Sequence, residues 1–470
     1  MKKLILITLI ILLTFSGCNN YSKSDEPITD SNQSESTENG TSPEQEKSND
    51  TDNKYEKTAI DLFNLYINKD FKSIIDDTNF SKELQNQLSE DNLAKADTQI
   101  TGLVGDFEKI LSTNSITQDK NTTVTIISKC SKSNLMCIVM FDENESILGF
   151  NLLPTSEGAD LDVSLPENAE EIPVEFGADE YKLSGLLTVP KGKDEYPIVI
   201  LVQGSGPSDK DETIGPNKPF RDIAYSLVSN GIGVLRYDKR TYTHRNKIIA
   251  NQDQLTVYDE TIDDVVYAYD YLVDNKDITA KGIYIIGHSL GGYLMPRIAN
   301  ELPDANGYIF LAGSARPLED LLVYQIPYLA NLDNIVTDEE QQQIDYYKNV
   351  YDRVKSLDES STYTAKDLGG TGKKYWLDLK DYRPTVMAQE ITKPMLFLQG
   401  KRDYQVTLDD FNLWKESLES KDTVTFKLYD GLNHLFMKGE GTPSPTEYSI
   451  ASNVDKQVTD DIAEFILSNQ

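Results

Sequence analysis

Hydrophobic and polar positions follow two different periods along residues 54–160. At the start of this segment, apolar side chains recur every three or four residues, which predicts an amphipathic helix containing Tyr55 and Tyr66. Two more short helices are predicted at 71–76 and 82–93. The period then changes to two, which predicts four strands, at 108–117, 121–130, 135–141 and 146–153. Helices followed by an antiparallel meander predict a small α+β domain.

Residues 161–470 show a different pattern, in which short, nearly all-apolar strands alternate with amphipathic helices. An antiparallel strand pair is predicted first, at 172–176 and 181–190. Further strands are predicted at 197–202, 232–236, 282–286, 307–311, 394–398 and 423–429. Helices are predicted at 218–229, 257–273, 290–301, 408–418 and 453–467. This alternation predicts an α/β domain whose mostly parallel sheet is covered by helices on both faces, with ligands at the carboxyl ends of the strands.

Residues 315–391 interrupt the alternation, because they contain no apolar strand. A helix is predicted over 321–332, and Thr337 and Glu340 have the spacing of a capping box at the start of another helix. An insertion of this length between two strands predicts a tyrosine-rich helical cap over the strand ends.

The first 18 residues have the layout of an export signal. Two lysines precede an apolar run that is short for a transmembrane helix, which needs about 20 residues. The small residues before Cys18 resemble a bacterial lipobox, so residues 1–17 are predicted to be a lipoprotein signal peptide and Cys18 the lipidated residue. An ordinary signal peptide cut nearby and a retained, buried Cys18 are the alternatives.

Residues 18–53 are almost entirely polar, with Tyr21 and Ile28 as the aromatic and aliphatic exceptions after Cys18. Because such a segment buries too little apolar surface to offset its chain entropy, it is predicted to be a disordered acidic tether. Signal, lipid site and tether together predict an exported lipoprotein on the bacterial cell membrane, facing outside.

Charge narrows the range of partners. The 470 residues include 77 acidic and 45 basic side chains, a formal net charge of −32. This balance opposes binding to nucleic acid and electrostatic docking on anionic lipid, so membrane attachment is predicted to depend on the lipid at Cys18. Three cysteines exclude a disulfide-framed scaffold. Cys130 and Cys137, on adjacent predicted strands, form either a disulfide or, in the favoured interpretation, two free thiols.

Residues 287–291 read Gly-His-Ser-Leu-Gly and stand between a predicted strand and a predicted helix. This is a G-x-S-x-G nucleophile elbow in its expected context, because a strained turn lifts the hydroxyl of Ser289 above the sheet. The strand and helix then approach too closely for side chains at 287 and 291. Ser289 is therefore predicted to be a nucleophile, and a structural glycine-rich turn is the alternative.

Three histidines are present, so few side chains can take the proton of the serine. His434 follows the last predicted strand and reaches the sheet edge where Ser289 lies, so it is predicted to be the base. His288 is predicted to point away from the site inside the elbow. His244 lies in a polar loop and is predicted to be a surface residue.

The base needs a carboxylate that fixes its tautomer and stabilises its protonated form. The chain order serine, acid, histidine places that carboxylate between Ser289 and His434. Asp403 follows the end of the predicted strand 394–398 and is predicted to be the acid. Asp430 is the rival, but it lies too close to the strand before His434.

Negative charge that develops on the substrate carbonyl oxygen must meet preset N–H donors. The backbone N–H of Leu290, directly after the nucleophile, is predicted to be one of them. The second is predicted to come from the glycine-rich loop 203–207, as the N–H of Ser205, with that of Gly204 as the second choice.

With these residues, the chain resembles α/β-hydrolases of the exported serine esterase type over 161–470. The resemblance is carried by 203–207, 236–240, 287–292, 400–403 and 431–434. Two positions depart from the common pattern: Gln203 stands where many relatives have histidine, and Thr241 where glycine is common. Asp238 and Arg240 are predicted to form a structural ion pair near the site, and a catalytic role is the alternative. Residues 54–160 resemble the small domain found ahead of some exported bacterial hydrolases.

The residues favour a serine hydrolase that cleaves carboxylic esters of small or medium acyl groups through an acyl-enzyme, closer to EC 3.1.1 than to EC 3.4. A peptidase acting on short peptides remains open, because both reactions break an acyl bond. A non-catalytic envelope binding or scaffold lipoprotein is the third hypothesis. The sequence has neither an H-E-x-x-H nor a G-x-x-x-x-G-K-[ST] pattern, so neither metal nor cofactor is predicted.

Overall fold

The computed structural model describes residues 52–85, 88–118, 121–155 and 163–470. The predicted signal peptide (1–17), Cys18 and the tether up to residue 51 lie outside the described residues. Within the described ranges, no helix combines the length and the apolar character needed to cross a bilayer.

Among the described residues 52–85, 88–118 and 121–155, four helices and four strands form the small N-terminal domain. The helices are α1 (Asp52–Ile67), α2 (Phe71–Asp77), α3 (Lys82–Gln85) and α4 (Glu90–Val104). The strands are β1 (Phe107–Gln118), β2 (Asn121–Cys130), β3 (Asn134–Phe141) and β4 (Ile147–Thr155), which pair antiparallel in the order β1-β2-β3-β4. Leu62, Phe63 and Tyr66 of α1 are buried against this sheet, as the helical period predicts.

The single helix predicted at 82–93 is wrong. Two helices, α3 and α4, replace it, because the hydroxyl of Ser89 accepts a hydrogen bond from the N–H of Asn92 and starts a new helix at Glu90. Helix α4 ends at Gly105, whose φ of 80° lies outside the helical region.

The two described cysteines are free and buried. Cys137 pairs with Ile126 across β2 and β3, whereas Cys130 pairs with Phe107 across β1 and β2, so the two thiols do not face each other. Burial raises the pKa of Cys130 to about 11, with a smaller contribution from nearby acidic groups. This confirms the favoured interpretation of two free thiols.

Within the described range 163–470, eight strands form the sheet of the C-terminal domain, in the order β12-β11-β10-β9-β7-β8-β6-β5. They are β5 (Ala169–Phe176), β6 (Leu183–Pro190), β7 (Tyr196–Val202), β8 (Gly233–Tyr237), β9 (Ala280–His288), β10 (Gly307–Leu311), β11 (Met395–Gly400) and β12 (Val424–Tyr429). Strands β7 to β12 pair in parallel, and β5 and β6 are antiparallel. The predicted antiparallel pair and mostly parallel sheet are both confirmed.

The helices of this domain are α5 (Pro219–Ser229), α6 (Arg240–Thr243), α7 (Arg245–Ala250), α8 (Asp263–Asp274), α9 (Leu290–Tyr293), α10 (Met295–Glu301), α11 (Leu318–Ala330), α12 (Asp338–Lys355), α13 (Lys373–Leu379), α14 (Pro384–Met387), α15 (Leu408–Leu418) and α16 (Lys456–Ser468). Alternate residues of β7 enter two separate cores: Ile198 and Ile200 face one, and Val199 and Leu201 the other. Both faces of the sheet are thus covered, which explains why its inner strands β7, β8, β10 and β11 are almost wholly apolar.

Helices α11 to α14 form the predicted cap. The side chain of Thr337 accepts a hydrogen bond from the N–H of Glu340, and the Glu340 carboxylate accepts one from the N–H of Thr337. This confirms the predicted capping box. The cap has its own apolar core, which includes Val350, Tyr351 and Trp376.

Candidate active site

Ser289 lies in the tight turn between β9 and α9, at the carboxyl end of the sheet. Its φ of 51° is unusual for a residue with a side chain. A β-carbon at Gly287 would lie 2.4 Å from the backbone of Gly291, and one at Gly291 would lie 2.6 Å from the carbonyl oxygen of Val202. The glycines on both sides are therefore required by close backbone contact, and the turn projects Ser289 as an elbow.

Asp403 and His434 meet across the ends of β11 and β12. The Nδ1 of His434 donates a hydrogen bond of 2.6 Å to Oδ2 of Asp403, and both side chains are buried. The other carboxylate oxygen, Oδ1, accepts from the backbone N–H groups of Gln405 and Val406 at 2.8 and 2.9 Å. These donors fix the carboxylate, which in turn directs Nε2 of His434 away from Asp403.

Ser289 and His434 line the same cavity, which has a volume of about 350 Å³. Tyr404 and Tyr448 also line it. The structure thus brings together the three residues proposed from the sequence as nucleophile, base and acid. The rival Asp430 has a side chain that is 86% exposed and pairs at the surface with Lys401.

A second cavity adjoins the first beneath the cap and shares Ser289 with it. It is narrower, at about 50 Å³, and its walls are mainly apolar. The walls include Leu290, Tyr293, Leu318, Leu321, Leu322 and Trp376. Ser289 therefore stands at the junction of a wide and a narrow chamber.

Two buried carboxylates accept hydrogen bonds from the backbone of the glycine-rich loop. The N–H of Gly204 donates to Oε1 of Glu212 at 2.7 Å, and the N–H of Gly206 donates to Oε1 of Glu260 at 2.8 Å. Ser205 lies between them and lines both chambers. Because the N–H of Gly204 is engaged, the geometry favours Ser205 over Gly204 as the donor that joins Leu290.

A buried lysine also holds this loop in place through hydrogen bonds. Nζ of Lys239 donates to the carbonyl oxygen of Gly204 at 2.7 Å and to Glu260 at 2.9 Å. The hydroxyl of Tyr375 donates to the second oxygen of Glu260. Sequence reasoning missed Lys239 and Glu260. The sequence did contain a signal for Glu260. This residue lies on the apolar face of the predicted helix 257–273, four residues before Asp264.

The two departures from the common hydrolase pattern also hold this loop. The side-chain amide of Gln203 donates to the carbonyl oxygen of Tyr237, and the hydroxyl of Thr241 donates to that of Gly206 at 3.2 Å. The side chains that replace histidine and glycine therefore tie the loop to the neighbouring strand and helix.

The predicted ion pair between Asp238 and Arg240 is wrong. Asp238 pairs with Lys210 at 3.0 Å, and Arg240 pairs with Asp264 at 2.7 Å. Arg240 begins α6, which turns its guanidinium toward α8 and away from Asp238. Burial raises the pKa of Asp264 to about 6, although Arg240 opposes the shift.

The predicted orientation of His288 is also wrong. Its ring lines the wide chamber and packs on that of His434, with ring centroids 4.7 Å apart. The cause is Glu212, a residue that sequence reasoning did not single out, which lies 2.9 Å from Nδ1 of His288. His244, by contrast, lies outside both chambers and hydrogen-bonds the carbonyl oxygen of Lys182.

Across residues 52–85, 88–118, 121–155 and 163–470, no group of three or more His, Cys, Asp or Glu side chains has an arrangement that could hold a metal ion.

Comparison with known proteins gives matches over both domains. The serine aminopeptidase S33 family matches residues 218–441, and a family of unknown function, DUF3887, matches residues 59–150. Esterase EstD from Thermotoga maritima is 35% identical to this chain over 389 residues, which cover 82% of this chain and 90% of that protein.

Solved structures of lower identity are also similar. An esterase from Pyrococcus furiosus is 17% identical, and the match covers 64% of this chain and 91% of that one with a TM-score of 0.41. Est1E from Butyrivibrio proteoclasticus is 19% identical, with coverage of 63% and 98% and a TM-score of 0.41.

Proposed function

The chain belongs to the α/β-hydrolase family of Esterase EstD, and we propose that it is a serine hydrolase that cleaves carboxylic esters through an acyl-enzyme. The observation that carries the proposal is the 2.6 Å hydrogen bond between Asp403 and His434, beside the cavity that His434 shares with Ser289. A buried acid-oriented imidazole next to a strained serine is the arrangement that activates a hydroxyl for attack on an acyl carbon.

In the proposed reaction, the hydroxyl of Ser289 attacks the ester carbonyl carbon while His434 takes its proton. Asp403 stabilises the imidazolium that forms, and the N–H groups of Leu290 and Ser205 stabilise the oxyanion. His434 then returns the proton to the departing alcohol oxygen. Water hydrolyses the acyl-enzyme by the same route and restores the free serine.

The chambers suggest how the ester lies. Because His434 must protonate the departing oxygen, the alcohol part belongs in the wide chamber that His434 lines. The acyl part then extends into the narrow chamber of about 50 Å³ under the cap, where Leu321 and Trp376 limit its length. This supports short acyl groups and larger alcohols.

A substrate panel tests the proposal. We expect turnover of p-nitrophenyl acetate and butyrate, and about 100-fold lower kcat/KM for p-nitrophenyl decanoate, because methylenes that do not fit a pocket cost binding energy. Aminoacyl p-nitroanilides measure the competing peptidase function, which the match to the serine aminopeptidase family favours. Anilide turnover exceeding ester turnover would contradict the esterase proposal, and turnover of neither would favour the scaffold hypothesis.

We also propose that the protein is exported and anchored by lipid at Cys18, on the grounds of the lysines, apolar run and small residues that precede this cysteine. In a bacterial host grown with an alkyne-bearing palmitate, we expect the wild-type chain to incorporate the label and to sediment with membranes. Cys18→Ser should lose both properties, because two or three acyl chains are needed for stable anchoring. Cys130→Ser is the control. Labelling that persists in Cys18→Ser would refute lipidation at this residue.

A further inference from the structure

A second carboxylate–imidazole pair lies beside the first. Oε2 of Glu212 is 2.9 Å from Nδ1 of His288, and both side chains are about 5% exposed or less. Neither residue has a place in the proposed reaction. The pair nonetheless lines the wide chamber together with Ser289 and His434.

This pair connects the two loops that must act together. On one side, Oε1 of Glu212 accepts the N–H of Gly204, the residue before the proposed oxyanion donor Ser205. On the other side, Nε2 of His288 donates to the backbone carbonyl oxygen of His434 at 2.9 Å. One continuous chain of contacts thus runs from the oxyanion loop to the loop of the base.

The partners of His288 define its protonation. Both of its ring nitrogens face oxygen atoms, Nδ1 a carboxylate at 2.9 Å and Nε2 a carbonyl at 2.9 Å, which favours a ring that carries protons on both nitrogens. Burial acts to lower the pKa of His288, but attraction to Glu212, the hydrogen bonds to Glu212 and His434, and attraction to Asp403 outweigh burial and raise it. The titratable groups that face the ring are Glu212, His434 and Asp403.

The backbone at Glu212 is strained, which indicates that its position matters. Its φ is 50°, in the left-handed region that side chains disfavour, and its N–H donates to the carbonyl oxygen of Asp209 at 3.0 Å. A residue held in this conformation, with a buried carboxylate that accepts the N–H of Gly204 at one oxygen and lies 2.9 Å from His288 at the other, is costly unless the contacts it makes are useful.

We propose that Glu212 and His288 are positioning residues whose ion pair sets the oxyanion loop against the loop of His434, an inference that rests on the proposed serine hydrolase function. By accepting the N–H of Gly204, Glu212 orients the N–H of Ser205 toward the junction of the two chambers. The pair also fixes the backbone of His434, so that the base and the oxyanion donors keep their relative positions around the acyl carbon.

Glu212→Gln and His288→Asn test this role with p-nitrophenyl butyrate. We expect kcat to fall about 100-fold in each, as small misplacements of catalytic groups do, with KM changed by less than about threefold. The rate of covalent reaction with a fluorophosphonate should fall similarly, because that reaction uses the same N–H donors. Wild-type kcat should also decline at alkaline pH as His288 loses its proton, and His288→Asn should lack this decline.

Glu340→Gln is the matched control, a buried glutamate in the cap that lines neither chamber, and it should keep the wild-type kcat. Thermal unfolding and circular dichroism establish that each variant is folded. If either folded variant keeps kcat within twofold of wild type, or loses activity through KM alone, the positioning role is wrong. An inactive wild type would instead overturn the proposed function, so the two failures are distinguishable.

Discussion

Ser289→Ala is expected to lower kcat/KM for p-nitrophenyl butyrate by at least about 10⁴-fold, because the acyl-enzyme cannot form without the hydroxyl. Alanine keeps the β-carbon and therefore changes neither the backbone at φ 51° nor the packing of Gly287 and Gly291. The remaining rate would reflect binding and the N–H donors alone. Initial rates and intact-mass analysis after fluorophosphonate treatment measure the effect: one adduct per wild-type chain, none on Ser289→Ala.

Ser208→Ala is the matched control for this experiment. Ser208 lines the same wide chamber as Ser289, one residue beyond the oxyanion loop 203–207, and its hydroxyl has no place in the proposed reaction, so we expect its loss to change kcat/KM by less than threefold. An alanine at 289 that leaves the rate or the adduct intact would place the nucleophile elsewhere, and peptide mapping of the adduct would identify it.

The pattern of hydrophobic and polar positions was sufficient to predict the overall fold. Strands β7 to β11 were predictable because each lies inside the sheet and is covered on both faces, so local apolar runs identify them. Strand β12 lies at the edge of the sheet and alternates apolar with polar residues, which also predicts a strand. The elbow was predictable because contacts between adjacent elements require its glycines. The capping box was predictable because its two residues, Thr337 and Glu340, are three positions apart in the chain.

The wrong predictions within the active site arose where long-range contacts determine the outcome. Glu212 lies in an aperiodic loop, and nothing in its neighbours indicates that its carboxylate is buried beneath Gly204 and beside His288. Without that carboxylate, His288 has no reason to face the chamber, which is why its orientation was predicted wrongly. Arg240 likewise met Asp264, 24 residues away, instead of Asp238, since α6 turns its side chain.

The acid of the site can be identified by comparing two aspartates. Asp403→Asn is expected to lower kcat for p-nitrophenyl butyrate by about 10⁴-fold, the order of effect that a wrong histidine tautomer has in such triads. Asp430→Asn should keep kcat within twofold, because its side chain is exposed and lies outside both chambers. Steady-state rates and thermal unfolding of both variants separate a catalytic defect from a folding defect.

The neighbours of Asp403 make the tautomer argument specific. The two backbone N–H groups of Gln405 and Val406 donate to Oδ1, against the single side-chain amide of Gln399 that donates to Oδ2, so we expect an asparagine at 403 to keep its oxygen at the Oδ1 position. Its amide nitrogen then takes the place of Oδ2 and donates to Nδ1 of His434, which forces the proton of the neutral ring onto Nε2. A ring protonated at Nε2 cannot accept the proton of Ser289. If Asp403→Asn keeps its rate while Asp430→Asn loses it, Asp430 is the acid and the loop after β12 must rearrange when substrate binds.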